Sequence, residues 1–251
     1  MRRRDQLTPA DGGAPATFGR FLEFSTPAPD IEASIGFYRK LGFATAEVGE
    51  AWRHPYAVAG DGRLYIGLHQ SADFGPALTF VKPDLLKHLA LLERAGVDFE
   101  FRHLGADVFN EIGWRDPSAT QVRFIEARTF SPLEWPPARS SLLGYFREIA
   151  LPAADFAASK AHWEGIGFVG VDEPDAPEPH IGCTSDTVDV GLYEPQRVGR
   201  PSLVFEVTDP AAAVERIAAA GLEPAARAGA PFGAFCFSAP EGTPIILVGA
   251  A

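Results

Sequence analysis

The stretch Phe21-Leu-Glu-Phe-Ser-Thr-Pro-Ala-Pro-Asp-Ile-Glu-Ala-Ser34 returns later in the chain as Phe146-Arg-Glu-Ile-Ala-Leu-Pro-Ala-Ala-Asp-Phe-Ala-Ala-Ser159, 125 residues on. Phe, Glu, Pro, Ala, Asp, Ala and Ser coincide. The register also holds downstream: Gly42 and Phe43 match Gly167 and Phe168, Leu78 and Phe80 match Leu203 and Phe205, and Asp84 matches Asp209. A period held over the whole chain makes it a tandem duplication. Between the copies, residues 131–141 carry Pro132, Pro136 and Pro137, which forbid a helix and favour an extended connector. The expected organisation is a disordered tail over 1–17, a first domain over 18–130, a Pro-rich linker over 131–142 and a second domain over 143–251.

Each copy repeats a smaller unit. Residues 20–26 alternate as a strand, and Ile31, Ile35, Tyr38 and Leu41 follow at helical spacing with Gly42 as the stop. Strands are expected near 55–59 and 64–69. Residues 77–81 then restart the pattern, with a helix marked by Leu85, Leu89 and Leu92, a stop at Gly96, and strands near 97–103, 109–114 and 121–126. The unit is β-α-β-β-β, used twice per half, which predicts an α+β fold.

Composition narrows the function. The 251 residues are 46% hydrophobic, enough for a sizeable core, and the formal charge of −11 repels nucleic-acid backbones and anionic membrane surfaces. Residues 1–130 hold 15 basic and 17 acidic side chains, so the acidic excess belongs mainly to the second half. Two cysteines, Cys183 and Cys236, do not make a disulfide scaffold and suit a cytoplasmic location. The arginines Arg2, Arg3 and Arg4 precede no apolar run, so the N-terminus does not read as an export signal.

The segment from Asp30 through Ser34, Phe37 and Tyr38 to Leu41-Gly42-Phe43, its copy from Asp155 to Trp163 and on to Ile166-Gly167-Phe168, and the late turns Trp114-Arg-Asp-Pro-Ser-Ala119 and Ser238-Ala-Pro-Glu-Gly242 together resemble the vicinal oxygen chelate superfamily. That superfamily holds glyoxalases, bleomycin-resistance proteins and extradiol dioxygenases. The resemblance implies two glyoxalase-like domains, each a U-shaped, partly open sheet of paired βαβββ units with a ligand on its concave face. It also implies a divalent metal, bound from the first strand of each unit and from a Glu on the last strand. The positions matching that pattern are Glu23 or Phe21, Ala77 and Arg123 in the first half, and Phe146 or Glu148, Ser202 and Ile246 in the second. Neither set supplies the three or more N, O or S ligands that a transition metal needs.

Period-two sorting puts Leu22, Phe24, Leu78, Phe80, Val122 and Phe124 on the core face. Phe21, Glu23, Ser25, Ala77, Thr79, Gln121, Arg123 and Ile125 are then expected in the first cleft. Phe146, Glu148, Ala150, Ser202, Val204, Glu206, Ile246 and Val248 are expected in the second. A Glu and an Arg at the family's metal positions suggest that a Glu23–Arg123 ion pair replaces the cation. Trp52 and Trp114 are candidates to stack on a flat ligand. A displaced metal site of Glu23, His69 and Glu126 is the alternative.

The expected function is metal-independent binding of a small molecule, resembling the sequestering resistance proteins, by a monomer or homodimer with no cofactor. The alternative is a glyoxalase-like lyase, isomerase or dioxygenase. It would use either a divalent metal or, without metal, Glu23 as base and Arg123 as anion stabiliser.

Overall fold

A computed structural model describes residues 19–46, 52–71, 74–106, 108–127, 141–173, 180–223, 225–226 and 235–250. The expected tail and residues 131–140 of the expected linker lie outside them.

In the first half the elements run β1 (Arg20–Pro27), α1 (Ile31–Lys40), β2 (Ala44–Ala46), β3 (Tyr56–Gly60), β4 (Tyr65–His69), β5 (Ala77–Val81), α2 (Leu85–Arg94), β6 (Phe99–His103), β7 (Glu111–Arg115) and β8 (Gln121–Ile125). The second half follows with β9 (Tyr145–Pro152), α3 (Phe156–Gly165), β10 (Val169–Glu173), β11 (His180–Thr184), β12 (Asp189–Tyr193), β13 (Ser202–Val207), α4 (Pro210–Ala219), β14 (Ala225–Ala226), β15 (Phe235–Ser238) and β16 (Pro244–Gly249). This is the expected α+β arrangement. The short strand β2 was not legible, because three residues give no periodicity.

The two sheets have the same order, β2-β3-β4-β1-β5-β8-β7-β6 and β10-β11-β12-β9-β13-β16-β15-β14. β1 pairs in parallel with β4 and antiparallel with β5, so it joins the two βαβββ units at the sheet centre, as β9 does in the second half. Asp30 and Asp155 cap their helices by accepting from Ala33 N and Ala158 N, each at 2.9 Å. Gly42 (φ 93°) and Gly167 (φ 108°) end the same two helices in the left-handed region that glycine tolerates.

The alternate residues Phe24, Phe80 and Phe124 are buried with Phe43, Phe205 and Trp163 in one core drawn from both halves. Complete burial of such a side chain contributes about 1.5–3 kcal/mol. The halves also meet through polar contacts in register. In α1, Ser34 and Tyr38 donate to Glu241 of the second half, at 2.7 and 2.6 Å. Asp116, the counterpart of Glu241 in the first half, lies in the turn facing α3, where Ser118 and Ser159 approach to 3.5 Å. Each signature helix therefore leans on the other half's late turn.

Two placements differ from the period-two expectation. A register shift between Phe21 and Glu23 sets Phe21 opposite Phe80, 5.5 Å between ring centroids, inside the core. Phe146 packs on Phe205 at 5.5 Å in the same way. The bulge turns each phenylalanine away from the cleft that strict alternation would give it.

Candidate functional site

The first-half cleft is built on β4, β1, β5, β8 and β7, on the face away from the shared core. Glu23 of β1 is 1% exposed. Its Oε1 accepts from Ser25 Oγ at 2.8 Å and lies 3.2 Å from His69 Nε2, while its Oε2 accepts from the Tyr56 hydroxyl. Burial and the adjacent Glu23 charge push the Tyr56 phenol well above its ordinary range, so it remains the donor. Gly67, opposite Ser25 on β4, makes room for this carboxylate: a Cβ there would fall 2.1 Å from Glu23 Oε1. The remaining His69 nitrogen, Nδ1, is 2.9 Å from His54 Nε2, and Ser25 Oγ in turn accepts from the Thr79 hydroxyl at 2.7 Å.

Arg123 of β8 is the second buried charge, 7% exposed. Its Nε donates to Gln121 Oε1 at 3.0 Å, and its Nη1 stands 3.6 Å from Glu111 Oε2. That oxygen is buried without a hydrogen bond among the described residues, while Glu111 Oε1 meets His103 Nδ1 at 2.7 Å. The guanidinium carbon lies 4.0 Å from the Phe74 ring centroid and 4.8 Å from that of Phe101. Burial lowers the Arg123 pKa and Glu111 opposes the shift. The expected Glu23–Arg123 ion pair is not formed. β1 and β8 are separated by β5, and each charge finds partners on its own flank: His69, Tyr56 and Ser25 for Glu23, Gln121 and Glu111 for Arg123.

Trp52 is half-buried and edge-on to His69, Phe74 and Phe109 at 5.1, 5.2 and 5.8 Å, so it walls the cleft. Trp114 does not: it is fully buried, stacks on Phe124 at 5.3 Å and donates its indole N–H to His162 Nε2 at 3.1 Å. It sits on the core side because it pairs with Val122, whose side chain faces the helices. Glu126 receives the Asn110 amide at 2.5 Å and does not join Glu23 and His69, so the displaced triad is not assembled.

The second cleft keeps the carboxylate but exchanges its partners. Glu148 accepts from Tyr193 of β12, and Tyr193 stacks on His180 of β11 at 4.7 Å. Tyr56 and His69 face each other across β3 and β4. At the corresponding positions the second half has His180 and Tyr193, the two residue types swapped. The clue was in the sequence, where His180 matches Tyr56 at an offset of 124. Ala150, Tyr193, Val198, Val204, Ile246 and Val248 fill this cleft as one apolar cluster. Ser202 donates to Arg200 O at 2.8 Å, and Glu206 lies beyond a register shift, opposite Tyr145. Phe74, Phe101 and Glu111 were missed as cleft residues. Phe74 lies in a loop, where no periodicity operates, and the other two belong to strands flanking the expected site.

Several solved structures share this fold along nearly the whole chain. A catechol 2,3-dioxygenase aligns over 93% of this chain and 88% of its own, at 14% identity and TM-score 0.59. Homoprotocatechuate 2,3-dioxygenase from Arthrobacter globiformis aligns over 96% and 83%, at 13% and 0.64. The 2,3-dioxygenase LapB from Pseudomonas sp. KL28 aligns over 94% of each chain, at 15% and 0.60. The chain has the two-module fold of the extradiol dioxygenases. No family model and no curated protein matches its sequence.

The residues at the positions that the superfamily resemblance assigns to a metal do not fit a divalent cation. Glu23, Ala77 and Arg123 offer one carboxylate, a methyl group and a buried positive charge, and Glu148, Ser202 and Ile246 offer one carboxylate, a hydroxyl and an aliphatic side chain. Among the described residues no group of three or more His, Cys, Asp and Glu converges. No helix of these residues is long and apolar enough to cross a membrane.

Proposed function

We propose that this chain binds a small, flat organic molecule in the first-module cleft without a metal, with Arg123 taking an acceptor or anionic oxygen of the ligand. One observation carries the reading. Arg123 is a buried guanidinium with rings on its faces and a donor edge that stops 3.6 Å short of Glu111. A planar fork of this kind orients carboxylate or phenolate oxygens well. The dioxygenase neighbours share the fold and are named for acting on catechols, which is consistent with a flat aromatic ligand.

The test is a thermal-shift screen of aromatic acids and phenols against purified protein, with and without chelator. Shifts that persist in chelator and vanish in Arg123→Ala support the reading. Near-stoichiometric divalent metal in the protein, or shifts unchanged by Arg123→Ala, overturn it.

A second reading, a metal-free catalyst with Glu23 as base, is favoured by the burial of Glu23 beside Tyr56 and His69. Glu23→Gln would then abolish turnover and leave binding intact.

A further inference from the structure

Phe74 belongs to the connection between β4 and β5, yet its ring lies inside the first cleft, 7% exposed. His69 stacks on it with centroids 4.0 Å apart and planes 10° from parallel. The Arg123 guanidinium carbon is also 4.0 Å from the Phe74 centroid. β4 and β8 lie on either side of β1 and β5, three strand spacings apart at about 4.8 Å each, so His69 and Arg123 meet opposite faces of the ring. Trp52 and His54 close the edges at 5.2 and 5.1 Å. The ring is thus boxed by an imidazole, a guanidinium and two edge-on aromatics. It lies between strands whose cleft-side groups are Glu23, Ser25 and Thr79.

We propose that this box is a binding slot for a single planar aromatic ring, and that Phe74 is the slot's own occupant, displaced when an aromatic ligand binds. The inference rests on the ligand-binding reading above and names the ligand's chemistry there: a π-face of one ring's thickness, held between His69 and Arg123. The second module shows the contrast. Its corresponding loop residue, Val198, is 2% exposed and packs into an apolar cluster of Tyr193, Ala150, Val204 and Ile246. An aliphatic side chain there carries no ring for an aromatic ligand to replace. A phenyl ring on a guanidinium and an imidazole can be replaced by another ring with the same cation–π and stacking contacts kept. A slot that is usually self-occupied lowers apparent affinity by the fraction of time it stands open.

The experiment uses full-length Phe74→Ala and two probes, indole and cyclohexanol, with affinities read by calorimetry. Removing the occupant should tighten indole binding by roughly tenfold or more over the unsubstituted chain. Cyclohexanol should bind more weakly than indole, and Arg123→Gln in the Phe74→Ala background should erase that preference. Equal binding of the two probes, or indole binding no tighter than in the unsubstituted chain, overturns the proposal. A second measurement needs no truncation: with 4-fluorophenylalanine at position 74, saturating indole should move the fluorine resonance toward its solvent-exposed value, and an unmoved resonance overturns the proposal. The two readings fail separately. Chelator-independent ligand binding with Phe74→Ala silent sinks only the slot, whereas indole binding to Phe74→Ala with no ligand found for the unsubstituted chain leaves the slot standing.

Discussion

The Trp114 indole N–H donates to His162 Nε2 across the contact between the modules, at 3.1 Å. His162 must be unprotonated there to accept, and burial lowers its pKa from 6.5 to about 4. Near it, burial raises Asp116 from 3.8 to about 6, even though Asp116 Oδ1 accepts the backbone N–H groups of Ser118 and Thr120. The Trp163 indole favours its ionised form slightly. Neither that nitrogen nor Asp116 Oδ2, however, has a hydrogen bond in good geometry among the described residues.

The two groups act on stability with opposite signs. The His162 contribution is complete above pH 6.5 and is lost as pH falls toward 4. The Asp116 contribution is complete below pH 3.8 and is lost as pH rises through about 6. Each is worth at most about 3 kcal/mol. Between pH 4 and 6 they offset one another in the unsubstituted chain. Asp116→Asn should therefore gain stability with rising pH, and His162→Phe, which installs the residue of the matching position Phe37, should lose it. Urea midpoints across this range check both slopes, and parallel profiles for all three proteins would refute the assignment.

Tyr38 ties α1 to Glu241 of the second module at 2.6 Å, and burial with the Glu241 charge holds its phenol well above the usual range, as a donor. Tyr38→Phe keeps the ring and leaves the carboxylate short of one hydrogen bond. A loss of about 1.5–3 kcal/mol is expected, read by chemical denaturation.

Gly67 and Gly191 are equivalent in the two sheets, and a Cβ at either meets a buried carboxylate: Glu23 Oε1 at 2.1 Å, or Glu148 Oε1 at 2.7 Å. Ala at each should cost about 1–3 kcal/mol through overpacking. Only Gly67→Ala should also weaken ligand binding, since only the first cleft carries Arg123 and the ring slot. Equal binding losses in the two variants would argue against a first-module site.

Cys183 is fully buried, and burial pushes its thiol up to about 12. It should resist a thiol reagent at neutral pH in the folded protein and react once denaturant is added. Labelling followed by peptide mapping reads the outcome directly.

Much of the architecture was legible because it is local and periodic. The 125-residue repeat, the Asp-capped helices ended by glycine, and the alternation of Phe24, Phe80 and Phe124 each follow from spacing along the chain. The same arithmetic put Glu23, Thr79, Gln121 and Arg123 on one face of the first sheet, where the structure has them. It failed at Phe21 and Phe146, where a one-residue bulge reverses the face; Trp114, offered as a ring to stack on a ligand, pairs with Val122 and lies on the core side.

The sequence by itself determined that the chain is a duplicated βαβββ pair with a glutamate at the matching positions 23 and 148 and an arginine, Arg123, with no counterpart in the second half. Tertiary structure decided what those charges touch. Strand order separates Glu23 from Arg123 by β5, so each pairs with a neighbour on its own side, and the loop after β4 places Phe74 between His69 and Arg123. Such contacts join residues distant in sequence, set by sheet order and loop path, and periodicity along one strand carries no information about either.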